Sequence, residues 1–364
     1  MNAAVTTRDL SSESDSQRRE WDQFVEGLPD GTLGQAGAWP RVLRDAYGLD
    51  CEAVAISHGQ NDFLGTLLLA HFRGLGGGRS LISLPFLDAS GIAAVDPASR
   101  ETLLDYARTR ARALNAGLEL REFVASEPGA EPDANLPETP RVDLRLELPT
   151  ESGDEVLWKS LPGKVRNQAR KAQREGLITP EAGAEERDTE KDWDDFYSVY
   201  AENMRWLGSP PHSRKFFASV RQHFGVRARS IVARDEGRPV AALIALHYAG
   251  IVWVPWASAL AAERKRCPNH SIYWEALRWT HALGARAFDF GRSPLDSGTH
   301  RFKRGWGAKE LPLRWSSEDR SGEIIHPTAL LDSPALRSTA KVWRRLPRPI
   351  CDRLGPVLRS RIAS

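Results

Sequence analysis

The sequence is short of three things: paired cysteines, long apolar runs and net charge. Its three cysteines, Cys51, Cys267 and Cys351, lie far apart and form no CxxC pair. That excludes a disulfide framework and fits a reducing compartment. Nine histidines show neither HxxxH nor Cys/His spacing, so no metal site is expected. No stretch reaches the roughly 18 apolar residues of a membrane span. The opening MNAAVTTRDLSSESDSQRRE lacks the apolar core of a secretory signal. A cytoplasmic location is expected, with contact at the inner face of a membrane left open.

A formal charge of +2 on 364 residues excludes a global polycation. The 41% hydrophobic and 27% charged composition is that of a soluble globular chain, long enough for two ordinary domains or one elaborate one. Positive charge is local instead. Between positions 159 and 174, six Lys and Arg stand without one Asp or Glu. Projected at about 100° per residue, Leu161, Val165, Ala169 and Ala172 share one narrow helical face. Lys164, Arg166, Asn167, Arg170, Lys171 and Arg174 share the other. Such a helix docks through small apolar residues and offers its cations to something anionic.

Along the chain, residues 1–18 read as a disordered N-terminus. Helix SQRREWDQFVEGLP follows, then hairpin CEAVAIS/FLGTLLLAHFRG, strand and loop LISLPFLDASGIAA, helix SRETLLDYARTRARALNAG and strand LELREFV. The Pro- and Glu-rich ASEPGAEPDANLPETP reads as a linker before strand RVDLRLELP. The second half repeats the order: helices WDDFYSVYAENMRWLG and PHSRKFFASVRQHFG, hairpin SIVARD/VAALIALHYAG, strand IVWVPWASAL, helix NHSIYWEALRWTHALGA and strand RAFDFGRS. This predicts domains over 19–150 and 151–330 and a basic amphipathic tail over 331–364. From Ser333 onward the tail holds eight Lys or Arg against one Asp. It could lie on an anionic membrane surface or pack on the body, and prolines interrupt any long helix in it.

The densest motif is FDFGRSPLDSGTHRFKRGWGA. Phe288 and Phe290 should face one side of a strand and Asp289 the other, with Arg292 and Ser293 at its C-terminal end, where open α/β sheets bind ligands. Thr299, His300 and Lys303 crowd the same segment. Asp289, Ser293 and His300 do not read as a hydrolase triad, because no G-x-S-x-G elbow exists and the segment cannot easily converge them. In NMRWLGSPPHSRKFF, Asn203, Arg205, His212, Ser213 and Arg214 surround a helix joint. That joint is either a plain turn capped by His212 or Ser213, or a loop over a cleft. Trp253, Tyr273 and Trp274 read as core, and Trp256 as the rim of a pocket. RGLGGG matches R-x-x-G-x-G but falls between two strands, one element too early to cradle a pyrophosphate at a helix start. The matching place in the second half, RKRCPNHS, has no such glycines.

The order helix, hairpin, strand, helix, strand resembles the GNAT acyltransferase fold, here appearing twice. LPGKVRNQARKAQREGL resembles the basic helix of the FemAB family. NMRWLGSPPHSRKFF, FDFGRSPLDSGTHRFKRGWGA and SLPFLDASG resemble the FemAB-like branch associated with exosortase/PEP-CTERM exopolysaccharide systems, whose usual Tyr-Gly-Gly is replaced here by Asp88-Ala89-Ser90. The resemblance covers roughly residues 20 to 355. It implies an α/β (α+β) fold of tandem GNAT-like domains, each a mixed central sheet flanked by helices. It also implies transfer of an acyl or aminoacyl group to an amine. By resemblance Lys164, Arg166, Asn167, Arg170 and Lys171 bind a phosphate-rich substrate, a lipid- or nucleotide-linked saccharide. Asn203, His212, Ser213, Asp289, Arg292, Ser293 and Lys303 map to the cleft.

Asp289, His212 and Ser293 are the catalytic candidates; Trp256 and Tyr273 join the binding set. Asp289 or His212 could take the amine's proton, and backbone donors near Trp256 and Asp289 could stabilise the oxyanion. No bound cofactor is expected. The co-substrate is an acyl-CoA, an acyl carrier thioester or aminoacyl-tRNA. Founding members use tRNA and carry a long coiled-coil arm that this sequence lacks. A non-catalytic nucleic-acid binder or polysaccharide-assembly partner using the basic helix is the rival reading, but the patch has no interleaved aromatics, so DNA is not an expected partner.

Overall fold

The computed structural model describes residues 3–11, 15–59, 62–124, 141–151, 153–180, 189–325 and 334–363. The expected linker over 125–140 lies outside them. In chain order the elements begin with β1 (Ala4–Arg8), α1 (Asp15–Gly27), α2 (Trp39–Tyr47), β2 (Cys51–Ser57), β3 (Phe63–Arg73) and β4 (Arg79–Ile82). Next come β5 (Ala93–Ala94), α3 (Pro97–Ala113), β6 (Gly117–Phe123), β7 (Arg141–Glu147), α4 (Asp154–Ser160) and α5 (Gly163–Arg174). They continue with α6 (Glu190–Leu207), α7 (Arg214–Phe224), β8 (Ala228–Asp235), β9 (Arg238–Tyr248), β10 (Ile251–Ala259) and α8 (Pro268–Ala282). The chain closes with β11 (Ala287–Pro294), α9 (Gly298–Arg304), β12 (Lys309–Glu318), β13 (Ile324–Ile325), α10 (Pro334–Arg345) and α11 (Arg348–Arg359).

Residues Met1–Arg141, Pro312–Ser333 and Leu358–Ser364 form one compact unit; Val142–Leu311 and Pro334–Val357 form the other. The first unit therefore recovers a strand and the last residues from beyond the second. Each unit has the expected architecture, a mixed sheet with helices against it, in the GNAT-like order.

In the first unit the strand order is β1-β2-β3-β4-β6-β12, antiparallel except for the β4/β6 pair. β1 pairs along β2 from Ala4 to Arg8, within the stretch expected to be disordered. Asp96 caps α3, its carboxylate accepting the Ser99 N–H at 2.8 Å, and Pro97 opens the helix. Leu103, Ala107 and Ala111 then bury one stripe in the core with Val54, Leu67 and Leu118.

The β4/β6 pairing stops at Ile82 and Glu119. Beyond it the segment Leu84 to Ser90 folds back over β6. The Ser83 N–H donates to Glu119 O (2.9 Å), and those of Ser90 and Gly91 both donate to Arg121 O (2.8 Å). Leu84, Leu87, Ala89 and Ser90 are buried there, so this unit fills the opening between its own parallel strands. Gly34 is obligatory beside it, because a Cβ would stand 2.3 Å from Ala89 O.

In the second unit the order is β7-β11-β10-β9-β8, with β10 and β11 parallel and β8, β9 and β10 antiparallel. Thr189 and Asp192 form a capping box at the start of α6, and Gly208 ends it with φ 80°. Val165, Ala169 and Ala172 of α5 are buried while Lys164, Asn167, Arg170 and Arg174 are exposed, as the projection of that helix required. α10 and α11 pack on this unit: Arg344 donates to Leu207 O (3.1 Å), and Trp343 and Cys351 are buried. Among the described residues no helix is long and apolar enough to cross a membrane.

Candidate functional site

β10 and β11 diverge. Their parallel register runs Ile251 to Ala287, Val252 to Phe288 and Trp253 to Asp289, then ends, although β10 continues to Ala259 and β11 to Pro294. Two local features accompany the divergence. Between Trp253 and Trp256, β10 bulges against β9, advancing one residue more than its partner. On the other side Gly291 takes φ 72°, a conformation that favours glycine, two residues after the last pair.

Buried polar contacts hold the kinked end of β11. Asp289 is 1% exposed; it accepts a hydrogen bond from Arg145 Nε of β7 at 3.0 Å and forms an ion pair with that guanidinium, whose terminal nitrogen stands 3.0 Å away. Its other carboxylate oxygen accepts the Gly291 N–H at 2.8 Å. From α9, Lys303 Nζ donates to the carbonyls of Gly291 and Arg292, both at 2.8 Å. Phe288 and Phe290 lie on the opposite face in the core, as the alternation of the strand predicts. Tyr273 of α8 stacks on Phe290 with ring centroids 5.2 Å apart. Burial pushes its phenol pKa up, so the O–H stays protonated.

His300 belongs to a separate arrangement. Its Nδ1 accepts the Asp296 N–H (3.2 Å), which puts the ring proton on Nε2, facing Glu310 at 2.9 Å. The hydrolase triad is thereby excluded, since its Asp and its His are each committed elsewhere.

Residues 163–304 match the model of the Acetyltransferase (GNAT) domain. The match spans α5 through α9 and so contains the divergent strand pair and the basic helix. In fold the whole chain is similar to FemX, with TM-score 0.61 and 12% identity over 86% of this chain and 96% of that one. It is also similar to the C-terminal domain (DUF2156) of a putative lysylphosphatidylglycerol synthetase from Agrobacterium fabrum, with TM-score 0.53 and 11% identity over 90% and 95% of the two chains. L-PGS from Bacillus licheniformis gives TM-score 0.51 and 12% identity over 90% and 95%. These identities show a shared fold. No protein of curated function matches the chain in sequence.

The GNAT region places the expected site residues unevenly. Asn203 Nδ2 reaches Ser258 Oγ (3.2 Å), joining α6 to β10 beyond the bulge. Ser293 is 1% exposed and its Oγ has no hydrogen-bond partner. Arg292 is half-buried.

Trp256, expected at a pocket rim, is instead buried against Phe216 (5.4 Å) and Phe217 (5.3 Å) of α7. His212 is fully buried with its ring stacked on Phe216 at 4.3 Å. Ser213 caps α7, its Oγ accepting the Phe216 N–H at 2.9 Å. Asp289, expected as a base, is held in an ion pair, and Lys303, expected on substrate, braces the backbone. Tyr273 sits in the core.

The basic helix α5 packs on α8. Arg170 lies over the Trp158 ring at 5.2 Å, and Lys171 donates to Lys265 O at 2.6 Å. At the first turn of α8, the Asn269 Oδ1 and the His270 Nδ1 are buried without partners. Burial first, and then the nearby Lys164 charge, lower the His270 pKa to about 4, so the imidazole is neutral. Arg145, Ser258 and Glu310 were not singled out from the sequence; each becomes visible only through a partner distant in the chain or across the fold. Among the described residues no cluster of three or more His, Cys, Asp or Glu is placed to hold a metal ion.

Proposed function

We propose that the second unit is an N-acyltransferase that joins an acyl or aminoacyl group to an amine on a phosphate-bearing precursor of the cell envelope or of an exopolysaccharide. The observation that carries this reading is the divergence of β10 and β11 after Trp253 and Asp289, inside the region matching a GNAT acetyltransferase domain. Where two parallel strands separate, backbone N–H groups that would otherwise pair are available to a substrate carbonyl. In the bulged stretch of β10, Val254 has no registered partner on β9 or β11, and Pro255 has no N–H to offer.

In the reaction the amine nitrogen attacks the carbonyl carbon of the donor, the ester or thioester bond breaks, and the amine's proton is lost as the leaving group gains one. Donors preorganised along β10 would stabilise the oxyanion. Ser293 offers a buried hydroxyl with unused hydrogen-bonding capacity. Asp289, Arg145 and Lys303 act on the backbone of β11 and set its kink. Most of the acceleration then comes from holding two substrates together, since effective concentration alone is worth up to about 7–11 kcal/mol.

GNAT domains take acyl-CoA as co-substrate, and the start of α8 suits its phosphates: a positive helix end, two unpartnered buried side-chain atoms and Lys164 nearby. The same features suit an acyl carrier thioester or a charged tRNA. The exposed cations Lys164, Arg170 and Arg174 suit the phosphates of a lipid- or nucleotide-linked saccharide. Thermal shift of the purified protein with acetyl-CoA, an acyl carrier thioester and charged tRNA, each tested separately, identifies the donor. A ligand bound only by the folded state raises the Tm. No shift with any of the three would refute the acyl-transfer reading.

A further inference from the structure

We infer that the C-terminal end of α6, together with α10 and α11, is a docking surface for an anionic lipid bilayer. Six large apolar side chains of the second unit, Trp206, Leu207, Val342, Ile350, Leu354 and Val357, are between 41% and 64% exposed there. α11 is apolar on two sides. Cys351 and Gly355 are buried against the unit, and a Cβ on Gly355 would stand 2.5 Å from Pro211 Cδ. Ile350, Leu354 and Val357, at spacings i, i+4 and i+7, form a second stripe that faces solvent. A helix needs only one of these stripes to pack on its own protein.

The charge beside this stripe identifies its occupant. From Lys341 to Val357 five Lys or Arg stand against one Asp, and that Asp352 already faces Arg348 at 3.6 Å. Arg344, Arg345 and Arg353 are exposed. Arg205, Trp206 and Arg344 line a cavity of about 240 Å³, and Arg264 lies 4.2 Å from the Trp206 ring centroid. Arg205 is partly satisfied by Glu202 (2.9 Å) and Arg344 by Leu207 O (3.1 Å), which holds both guanidinium groups in place.

An apolar stripe flanked by arginines, with a half-exposed tryptophan next to a cationic cavity, matches the layered chemistry of an anionic leaflet. Apolar side chains enter the acyl boundary, the indole sits at the headgroup level, and guanidinium groups meet phosphodiesters. Membrane docking here does not require acyl transfer and stands or falls apart from it.

Co-sedimentation of the full chain with vesicles of phosphatidylcholine, alone or mixed with phosphatidylglycerol, tests this. Retention only by the phosphatidylglycerol vesicles, weakened by salt, is expected. Leu354→Asp together with Val357→Asp should lower binding about tenfold or more, and Arg344→Glu about fivefold or more. If the paired aspartates disturb α11, the exposed Arg353→Gln serves instead, with a loss of about fivefold. Unchanged retention of Arg353→Gln and Arg344→Glu would overturn the assignment, as would equal binding to both vesicle types or to neither. A thermal shift with inorganic phosphate in the absence of vesicle retention would assign the cavity to a free phosphate and overturn the lipid. A dimer in size-exclusion chromatography that the paired aspartates dissolve, again without vesicle retention, would make the stripe a protein interface and overturn it equally.

Discussion

Removing either partner of the Arg145–Asp289 pair should not cost the same. Asp289 is 1% exposed, whereas the Arg145 side chain is 21% exposed. In Arg145→Ala the carboxylate stays buried, keeping only the Gly291 N–H among its contacts described above. Stranding a buried charge in this way costs about 3–5 kcal/mol. In Asp289→Ala the orphaned guanidinium can turn to water. The main loss is then the bond to the Gly291 N–H, about 1–3 kcal/mol. The double variant should be less destabilised than the sum of the singles by about 2 kcal/mol. Urea denaturation of the four proteins, fitted with a common slope, gives the cycle. The Tm values should follow at about 2–4 °C for each kcal/mol in a unit of this size. Equal losses in the two single variants, or additivity within about 0.5 kcal/mol, would refute the view that Arg145 exists to hold a buried carboxylate. Loss of transfer in Asp289→Ala would then have to be chemical, restoring Asp289 as a base.

Other outcomes follow from the same geometry. Lys303→Met keeps the length of the side chain and removes its two bonds to carbonyls; it should destabilise the second unit by about 2–4 kcal/mol and lower transfer, measured by melting and by turnover of the identified donor. Gly34→Ala forces a Cβ to within 2.3 Å of Ala89 O and should unfold or expand the first unit, seen as a Tm drop with the second unit's transition unchanged. The His270 imidazole has its pKa lowered from 6.5 to about 4, so the unfolded chain takes up a proton that the folded one resists. Stability should therefore fall as pH drops from about 6.5 toward 4, by up to about 3 kcal/mol, and His270→Gln should flatten that slope in melts across this range.

How much of this was legible in the sequence depends on how local each feature is. The two repeats of hairpin, strand, helix and strand rest on periodicity within single elements, and the structure reproduces them. The buried stripe of α5 and the opposed faces of β11 were readable for the same reason. β1 was not: Ala4–Arg8 is nearly all exposed, so this edge strand has no apolar alternation to betray it. Trp256 reads as a strand end, yet phenylalanines from α7, some forty positions earlier in the numbering, cover it. Arg145 lies 144 residues from the carboxylate it pairs with, a separation at which no spacing rule operates. Lys303 was noticed, but its two bonds to the carbonyls of Gly291 and Arg292 were not readable, because no spacing rule shows which backbone oxygens a lysine reaches.

The return of β12 to the first unit has a consequence for synthesis on the ribosome. β6 obtains its antiparallel partner only when Leu313 to Glu318 have emerged, after all of β7 to β11. Until then the Leu118–Phe123 edge is an open strand that could recruit another nascent chain. Strict N-terminal-first folding is thus denied to this protein. A fragment ending near residue 150 would lack a strand of its own sheet and should aggregate, whereas the same fragment supplied with residues 309–325 through a linker should not.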